Sequence, residues 1–477
     1  MLITNAVQTA FPDNNNAAAC SGYYSEYIER WSDIYSGRPP WETVKKSTLT
    51  GKGNRTLSML NTGKVLCDYL SDLTFSEQCD IVVNDERYQR FLNDTLNRCG
   101  FWKFLPEFIS KAYALGGGAL KVYANNGEIT IDYVSANDFV PTAWTGNDIL
   151  AGAFRTLTHK GNSFYSLMEI MCGDRIEHKL FKSASERELG KECSILELYE
   201  NIPESITISG LKKPLFSYFR PNFSNNIPDS NIPLGISAFA NAADTLKALD
   251  IAFDSFSREF VLGKKRIIVP ASSVQTVVDT TTGETVKYFD ADDEAFVALK
   301  TDDTDNLKIV DNTVELRVEQ HVSAINALLN ILCLQVGISA GSLSFDAVQG
   351  MKTATEVVSQ ESKTQRTVKG NKNVLTEAIE NTVRSIFTLA VALGSLPYKE
   401  YDLTVGWQDN VIVDDNTLID NNIKLVSAGL KSKVKAIMEV QKCDEETART
   451  ELERIAHESG MGGDIADFFG GGGDDST

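Results

Sequence analysis

The chain of 477 residues (52.5 kDa) carries a net charge of −19 and a pI near 4.8, long enough for about three structural units and a core that needs neither disulfides nor metal. Sequence-blind nucleic-acid binders carry the opposite balance, because they displace phosphate counterions with Lys and Arg, so composition argues against DNA binding. Its 42% hydrophobic and 23% charged residues match ordinary globular usage and exclude the disordered class.

Residues 1–14 lack the basic and apolar regions of a secretory leader. No run approaches the roughly 18 apolar residues of a membrane span; the nearest, Ala327 to Val336, is broken by Asn330 and Gln335. A soluble intracellular chain with no membrane partner is expected. Tyr23 to Tyr35 has helical spacing and stops at Gly37, before Pro39 and Pro40. Leu57 to Leu73 and Glu86 to Leu96 read as two further helices. After Gly116–Gly118 the period becomes two, so Ala119 to Ala124 and Glu128 to Val134 form a hairpin across Asn125–Gly127. Strands are expected at Gly152 to Leu157, Ser163 to Met171, Ile176 to Phe181 and Leu215 to Phe219, and an exposed linker at Pro221 to Pro233.

From Ser237, an expected N-cap, a helix runs to Leu262. Phe239, Leu246, Phe253 and Phe260 recur every seven residues, with Ala242, Leu249 and Phe256 between them, which makes a seam flanked by Asp244, Lys247, Asp254, Arg258 and Glu259. Beyond Gly263 and the bases Lys264, Lys265 and Arg266, a strand at Ile267 to Val269 and a β unit over Thr276 to Asp311 make an insertion with ten acids and three bases. A second helix opens near Asn312, with Glu315 as its capping-box partner, and carries the seam Val318, Val322, Ile325, Leu329, Leu332 and Val336. The loop Ile338 to Gly350 precedes a third helix, Lys352 to Leu393, kinked at Gly370. At about 1.5 Å per residue that helix spans roughly 60 Å, which suits an extended or multi-subunit architecture. Thr417 to Val426, Lys433 to Gln441 (capped by Ser432) and Glu445 to Glu458 (capped by Asp444) form a helical end module, followed by a Gly-rich tail, Gly460 to Thr477, expected to be disordered.

Chemistry-bearing motifs are sparse. Gly116–Gly118 has neither dinucleotide nor P-loop spacing and leads into a strand. Asp290, Asp292, Asp293 and Glu294, with Asp302, Asp303 and Asp305, lack the EF-hand glycine and terminal glutamate, so a solvated or partner-facing patch is expected. Eight cysteines (20, 67, 79, 99, 172, 193, 333, 443) without a CxxC pair, and four scattered histidines (159, 178, 321, 457), favour free thiols over a metal site. No GxSxG, HExxH or Cys/His pairing is present, so no enzyme, metal or cofactor is expected. Lys264–Arg266 complement a helix dipole, and Lys352, Lys363 and Arg366 share one helix face, which Glu356 dilutes.

Two long runs carry a family resemblance. IPLGISAFANAADTLKALDIAFDSFSREFVLGKKRIIVP (Ile232–Pro270) and GISAGSLSFDAVQGMKTATEVVSQESKTQRTVK (Gly337–Lys369) resemble the portal proteins of tailed bacteriophages, in particular the A118-like portal family. YSGRPPW at residues 35–41 and GWQD at 406–409 are similar to the same family. The resemblance implies an α+β portal-type fold assembled as a homo-oligomeric ring, dodecameric in the virion, at one capsid vertex. It implies an α/β wing (residues 1–235 with 351–415), stem helices (236–263 and 312–337), a β-rich clip (264–311), a tunnel loop (338–350), a helical crown (416–460) and a disordered tail (461–477). Double-stranded DNA would pass the channel, the terminase large subunit and a head-tail adaptor would meet the clip, and capsid and scaffolding proteins would surround the ring in the virion.

Mapped onto this sequence, the resemblance points to Leu343, Ser344, Phe345, Asp346, Val348, Gln349 and Lys352 as channel-facing. Lys264, Lys265 and Arg266 become candidates for a basic ring, and Phe239, Leu246, Phe253, Phe260, Val322 and Leu329 for a seam buried between subunits. Two other classes stay open: a different structural virion or tail-associated protein, and a metal-dependent nucleic-acid-processing enzyme built on the clustered carboxylates.

Overall fold

The computed structural model describes residues 3–12, 23–48, 51–75, 79–208, 211, 213–227, 232–263, 267–270, 276–278, 285–287, 296–299, 310–311, 315–345, 354–407, 415–441 and 443–458. The fold is α+β, and the chain divides into two compact units, Met1–Gly406 and Trp407–Thr477.

The larger unit opens with α1 (Ile3–Ala10), absent from the sequence expectations, whose Ile3, Ala6, Val7 and Ala10 are buried at helical spacing. Helix α2 (Tyr23–Tyr35) ends as expected, with Gly37 at φ 75°. A hairpin of β1 (Thr43–Thr48) and β2 (Gly51–Thr56) follows. The helix expected from Leu57 begins only at Thr62, as α3 (Thr62–Phe75). The Ser58 and Leu60 amides donate to the carboxylates of Asp254 and Asp250, which holds residues 57–61 out of the helix.

Strand β3 (Asp80–Val83) leads to α4 (Glu86–Arg98), capped by Asp85, whose side chain accepts the Arg87 and Tyr88 amides. Helix α5 (Phe101–Leu115) is absent from the sequence expectations; burial of Phe101, Leu105, Phe108, Ile109 and Tyr113 outweighs the one backbone bond that Pro106, inside it, removes. The expected hairpin is β4 (Gly118–Asn125) and β5 (Glu128–Ser135), joined by Asn126 and Gly127, both at positive φ.

A six-stranded antiparallel sheet comes next: β6 (Phe139–Thr145), β7 (Asp148–Lys160), β8 (Ser163–Cys172), β9 (Arg175–Ser183), β10 (Lys191–Cys193) and β11 (Ser205–Thr207), the last also pairing with β9. Its Val140, Ala153, Met168, Ile170 and Phe181 make one core cluster with α1. Strand β12 (Phe216–Phe219) returns to β4, giving a second sheet in the order β12-β4-β5.

Gly116 and Gly117 are packing glycines. At φ +82°, a Cβ on Gly116 would lie 2.4 Å from the Gly235 carbonyl oxygen; at φ +150°, one on Gly117 would lie 2.2 Å from the Tyr218 hydroxyl. Here α5 turns into β4 directly beneath residues 235–236.

Ser237 accepts the Phe239 amide at 3.2 Å and heads a 3-10 turn, Ala240–Ala242, so the helix proper is α6 (Ala243–Leu262). In the insertion, β13 (Ile267–Pro270) pairs in parallel with β16 (Phe296–Leu299) and antiparallel with β17 (Val310–Asp311), while β14 (Thr276–Val278) pairs with β15 (Thr285–Lys287). Helix α7 (Val318–Val336) starts six residues later than the expected start at Asn312, because Glu259 of α6 accepts both the backbone amide and the guanidinium of Arg317.

Helix α8 (Ala354–Ala392) runs hydrogen-bonded through Gly370. A Cβ there would lie 2.4 Å from Asn222 Nδ2, and Asn371 Oδ1 accepts the Asn222 amide at 2.9 Å. Of the linker expected over Pro221–Pro233, Asn222 is held on α8 and Pro221 is buried, while Asn222, Ser224 and Asn226 are exposed as expected and residues 228–231 lie outside the described residues. Strand β18 (Leu403–Gly406) closes the unit by pairing with β3.

The smaller unit holds α9 (Asp415–Ser427), α10 (Lys433–Gln441) and α11 (Glu445–Glu458). Ser432 accepts the Lys435 amide and Asp444 the Thr447 amide, as their expected capping roles require. The Gly-rich tail and both acidic clusters of the insertion lie outside the described residues.

Gly116→Ala should lower stability by about 2–3 kcal/mol, since its Cβ meets backbone that cannot step aside. Gly127→Ala, at the same φ but in open space, should cost only about 1 kcal/mol. Urea denaturation of the two variants measures the difference.

Candidate functional site

Helix α6 is the hub of the middle of the chain. Phe239, Leu246 and Leu249 are fully buried against α2 and α3. Gly63 lets these elements approach: a Cβ there would lie 3.1 Å from Ile34, 3.5 Å from Leu246 and 3.6 Å from Phe239. Along α7, which packs on α6, Ile325, Leu329, Leu332 and Val336 are buried and Val322 half-buried. Phe239, Leu246 and Leu329 therefore find their packing partners within one chain. Phe260 is 44% exposed.

Two carboxylates one helical turn apart on α6 are almost fully buried. Asp250 accepts the Trp41 indole N–H at 2.9 Å and the Leu60 amide at 3.0 Å. Asp254 takes both ends of the Arg55 guanidinium, at 2.6 and 2.8 Å, and the Ser58 amide at 3.0 Å. Burial pushes the Asp250 carboxyl above its ordinary value, against the Trp41 and backbone hydrogen bonds. Hydrogen bonds from Arg55 hold Asp254 below its own, against burial. The heptad pattern places Asp254 on a flank of the seam and assigns Asp250 no place. The available signal was two acids at i and i+4 bordering the apolar face that Leu246, Leu249 and Phe253 define.

Beyond Gly337, at φ 87°, the loop is fastened residue by residue. Thr367 donates to the Gly337 carbonyl at 2.6 Å, Thr364 Oγ1 accepts the Ser339 amide at 2.9 Å, and Asn330 and Asn326 of α7 accept the Gly341 and Phe345 amides, each at 2.8 Å. Phe345 is half-buried, its ring edge-on to Phe253 (6.4 Å) and Phe256 (5.8 Å). Leu343 is half-buried and Ser344 exposed. Asp346, Val348, Gln349, Lys352, Lys264, Lys265 and Arg266 lie outside the described residues.

Where the chain leaves α6 for the insertion and returns into α7, Glu259 makes a two-pronged pair with Arg317, at 3.0 and 2.9 Å, with His321 Nε2 at 3.6 Å. Hydrogen bonds from Arg317 draw the Glu259 carboxyl down to about 2. A Cβ on Gly263 would lie 2.4 Å from Leu316, so the two ends of the insertion meet closely at this clamp.

Helix α7 has a second apolar side. Ala324, Ala327, Ile331 and Leu334, spaced three, four and three residues apart, are all exposed, Leu334 by 68%. Helix α7 is thus apolar on two faces, one buried against α6 and the loop, the other exposed.

Elsewhere, Lys121 of β4 and Glu169 of β8 are buried at 3.5 Å and join the two sheets, with His178 at 3.4 Å from the same carboxylate and donating Nδ1–H to the Pro203 carbonyl at 2.9 Å. Burial raises the Glu169 carboxyl, but the Lys121 charge opposes it and the net shift is downward. An open groove of about 990 Å³ beside β3 and α4 is lined by Cys79, Gln89 and Trp102 among others. Among the described residues no trio of His, Cys, Asp or Glu is arranged to hold a metal, and no helix is long and apolar enough to cross a membrane. The seven described cysteines are free thiols.

Two seamed helices split by a β insertion, a loop fastened to them and a long helix after it are the features that organise the middle of this chain. Residues 23–463 match the family of phage portal proteins described as SPP1 Gp6-like, and the chain belongs to that family, whose members are structural and non-enzymatic. No curated protein matches the chain.

Asp250→Ala should destabilise by about 2 kcal/mol in urea denaturation, because the Trp41 and Leu60 N–H groups lose their acceptor. Arg55→Ala and Asp254→Ala should each lower the urea midpoint, and the double variant should lose less than the two singles combined, since one bidentate pair is removed in both. Glu259 has a depressed folded value, so its stabilisation is complete above the ordinary 4.5 and disappears as pH falls toward 2. The melting-temperature gap between wild type and Glu259→Gln should close over that interval.

Proposed function

We propose that the protein forms a closed homo-oligomeric ring, a dodecamer in the virion, at one capsid vertex. Double-stranded DNA would be packaged by the terminase through its channel and later ejected toward the tail. The observation that carries this reading is the bare stripe Ala324, Ala327, Ile331 and Leu334 on α7, in a chain of a portal family. The buried seam of α6 and α7 makes a rigid helix pair within the subunit, and the outer stripe, with Ile251 and Phe260 of α6 also exposed, offers that pair to the next copy. Closed rotational symmetry repeats one such contact around the ring with no stripe left bare.

In this reading α6 and α7 are the stem and residues 264–311 the clip, which receives the terminase large subunit and the head-tail adaptor. Residues 416–460 are the crown, and 1–235 with 351–415 the wing, set among capsid and scaffolding proteins in a virion assembled in the host cytoplasm. The runs Ile232–Pro270 and Gly337–Lys369 make the chain A118-like within its family. Leu343, Ser344, Phe345, Asp346, Val348, Gln349 and Lys352 line the tunnel, with Phe345 as the root at which the loop is pinned to the stem, and Lys264–Arg266 supply a basic ring. The acidic chain suits a conduit: every tightly held phosphate would brake a sliding duplex, and repulsive walls keep it mobile.

Leu334→Asp with Ile331→Asp should leave the melting temperature within a few degrees of wild type yet keep the protein monomeric by native mass spectrometry; unchanged oligomers would remove the stripe from the interface. Phe345→Gly should leave the oligomer intact and reduce the DNA content of assembled particles. Loss of the oligomer would make the loop an assembly element instead.

A further inference from the structure

The 14 residues of hairpin β1–β2 and its turn, Thr43 to Thr56, hold Lys45, Lys46, Lys52 and Arg55 and no acid. With four of the 46 bases in the hairpin and all 65 acids outside it, the remainder of the chain carries −23. This cationic ribbon is a separate two-stranded sheet, paired only with itself among the described strands. An isolated two-stranded hairpin is marginal in water, and this one is fixed at its root. The Leu57 amide donates to the Glu42 carbonyl at 2.8 Å, Trp41 is bound to Asp250, and Arg55 is bound bidentately to Asp254.

That tie sorts the four cations. Arg55 is neutralised by the stem carboxylate. Lys45 is exposed, and Lys46 and Lys52 lie farther from the root, at the register positions Lys46↔Gly53 and Ser47↔Lys52. Three lysine positions thus fall on a ribbon rooted beside α6, in a chain whose other residues sum to −23.

We propose that hairpin 43–56 is an electrostatic arm that docks on a carboxylate-rich surface of the adjacent copy of this chain. The proposal rests on the ring reading above and names a contact which that reading lacks. Charge complementarity selects the partner: each neighbour presents the −23 remainder, and rim charges of this kind steer encounter and fix register. A nucleic-acid partner fits less well. The ribbon's one guanidinium is already engaged, and it has no aromatic residue on which a base would stack.

The test uses the full chain with Lys45→Glu, Lys46→Glu and Lys52→Glu combined, and a matched triple Lys→Arg variant. The Glu variant should melt like wild type, because the reversed positions lie beyond the tie, yet need about tenfold more protein to assemble at low salt. Wild-type assembly should weaken as sodium chloride is added, and the Arg variant should behave as wild type. Equal assembly of the Glu variant and wild type, or salt-independent wild-type assembly, would overturn the arm while leaving the ring standing. A wild type that is monomeric at every salt and concentration contradicts the ring and the arm together. Fluorescence anisotropy with a short labelled duplex closes the remaining route: duplex binding by wild type that vanishes in the Glu variant, with assembly unchanged, assigns the ribbon to DNA and refutes the proposal.

Discussion

Two carboxylates inside a packed interface organise the rest of this molecule. Burying an ionised group costs several kcal/mol unless its oxygens are filled, and Asp250 and Asp254 are filled by groups drawn from one short stretch, Trp41, Arg55, Ser58 and Leu60. That demand fixes the hairpin root and delays the start of α3 to Thr62. It also binds the N-terminal part of the chain to one flank of α6. The opposite flank receives α7, and Glu259 pins the two helices where the insertion departs and returns. Both flanks of α6 are engaged, and the apolar residues left exposed on the pair are the α7 stripe together with Ile251, Phe260, Val261 and Leu262 of α6.

This division of labour suits a part that must be rigid inside and adhesive outside. The inner seam is sealed within the chain, so a subunit keeps its shape before it meets a partner. The loop after Gly337 is fastened where it is rooted, the amides of Phe345, Gly341 and Ser339 being taken by Asn326, Asn330 and Thr364. In the proposed role as a conduit, net negative charge agrees with a wall along which a polyanion slides.

Much of this was legible from residue patterns. Period-two alternation and Asn126-Gly127 located the β4–β5 hairpin, and heptad spacing located α6 and α7. Ser432 and Asp444 marked helix starts that their side chains do cap. Local rules failed where tertiary contacts intervened. Helix α5, with Pro106 inside it, carries no start or stop signal that was read and is held by burial; Gly370, read as a kink, makes room for Asn222; and Asn312, read as a cap, precedes α7 by six residues because Glu259 captures Arg317. The seam was visible in the sequence, but which wall it packs against was not. Heptad periodicity states that a face is apolar and is silent on whether its partner is the same chain or the next. The paired carboxylates escaped notice for a like reason, since an acid on a helix reads as solvated until the groups that fill it, some 200 residues away in sequence, are brought alongside.

Electron microscopy of the purified full-length protein tests the central claim most directly. End-on views should show a closed ring with a central hole, bounded by the helix pair α6–α7 and narrowed by the loop after Gly337. Compact particles without a hole, or open filaments, would contradict it.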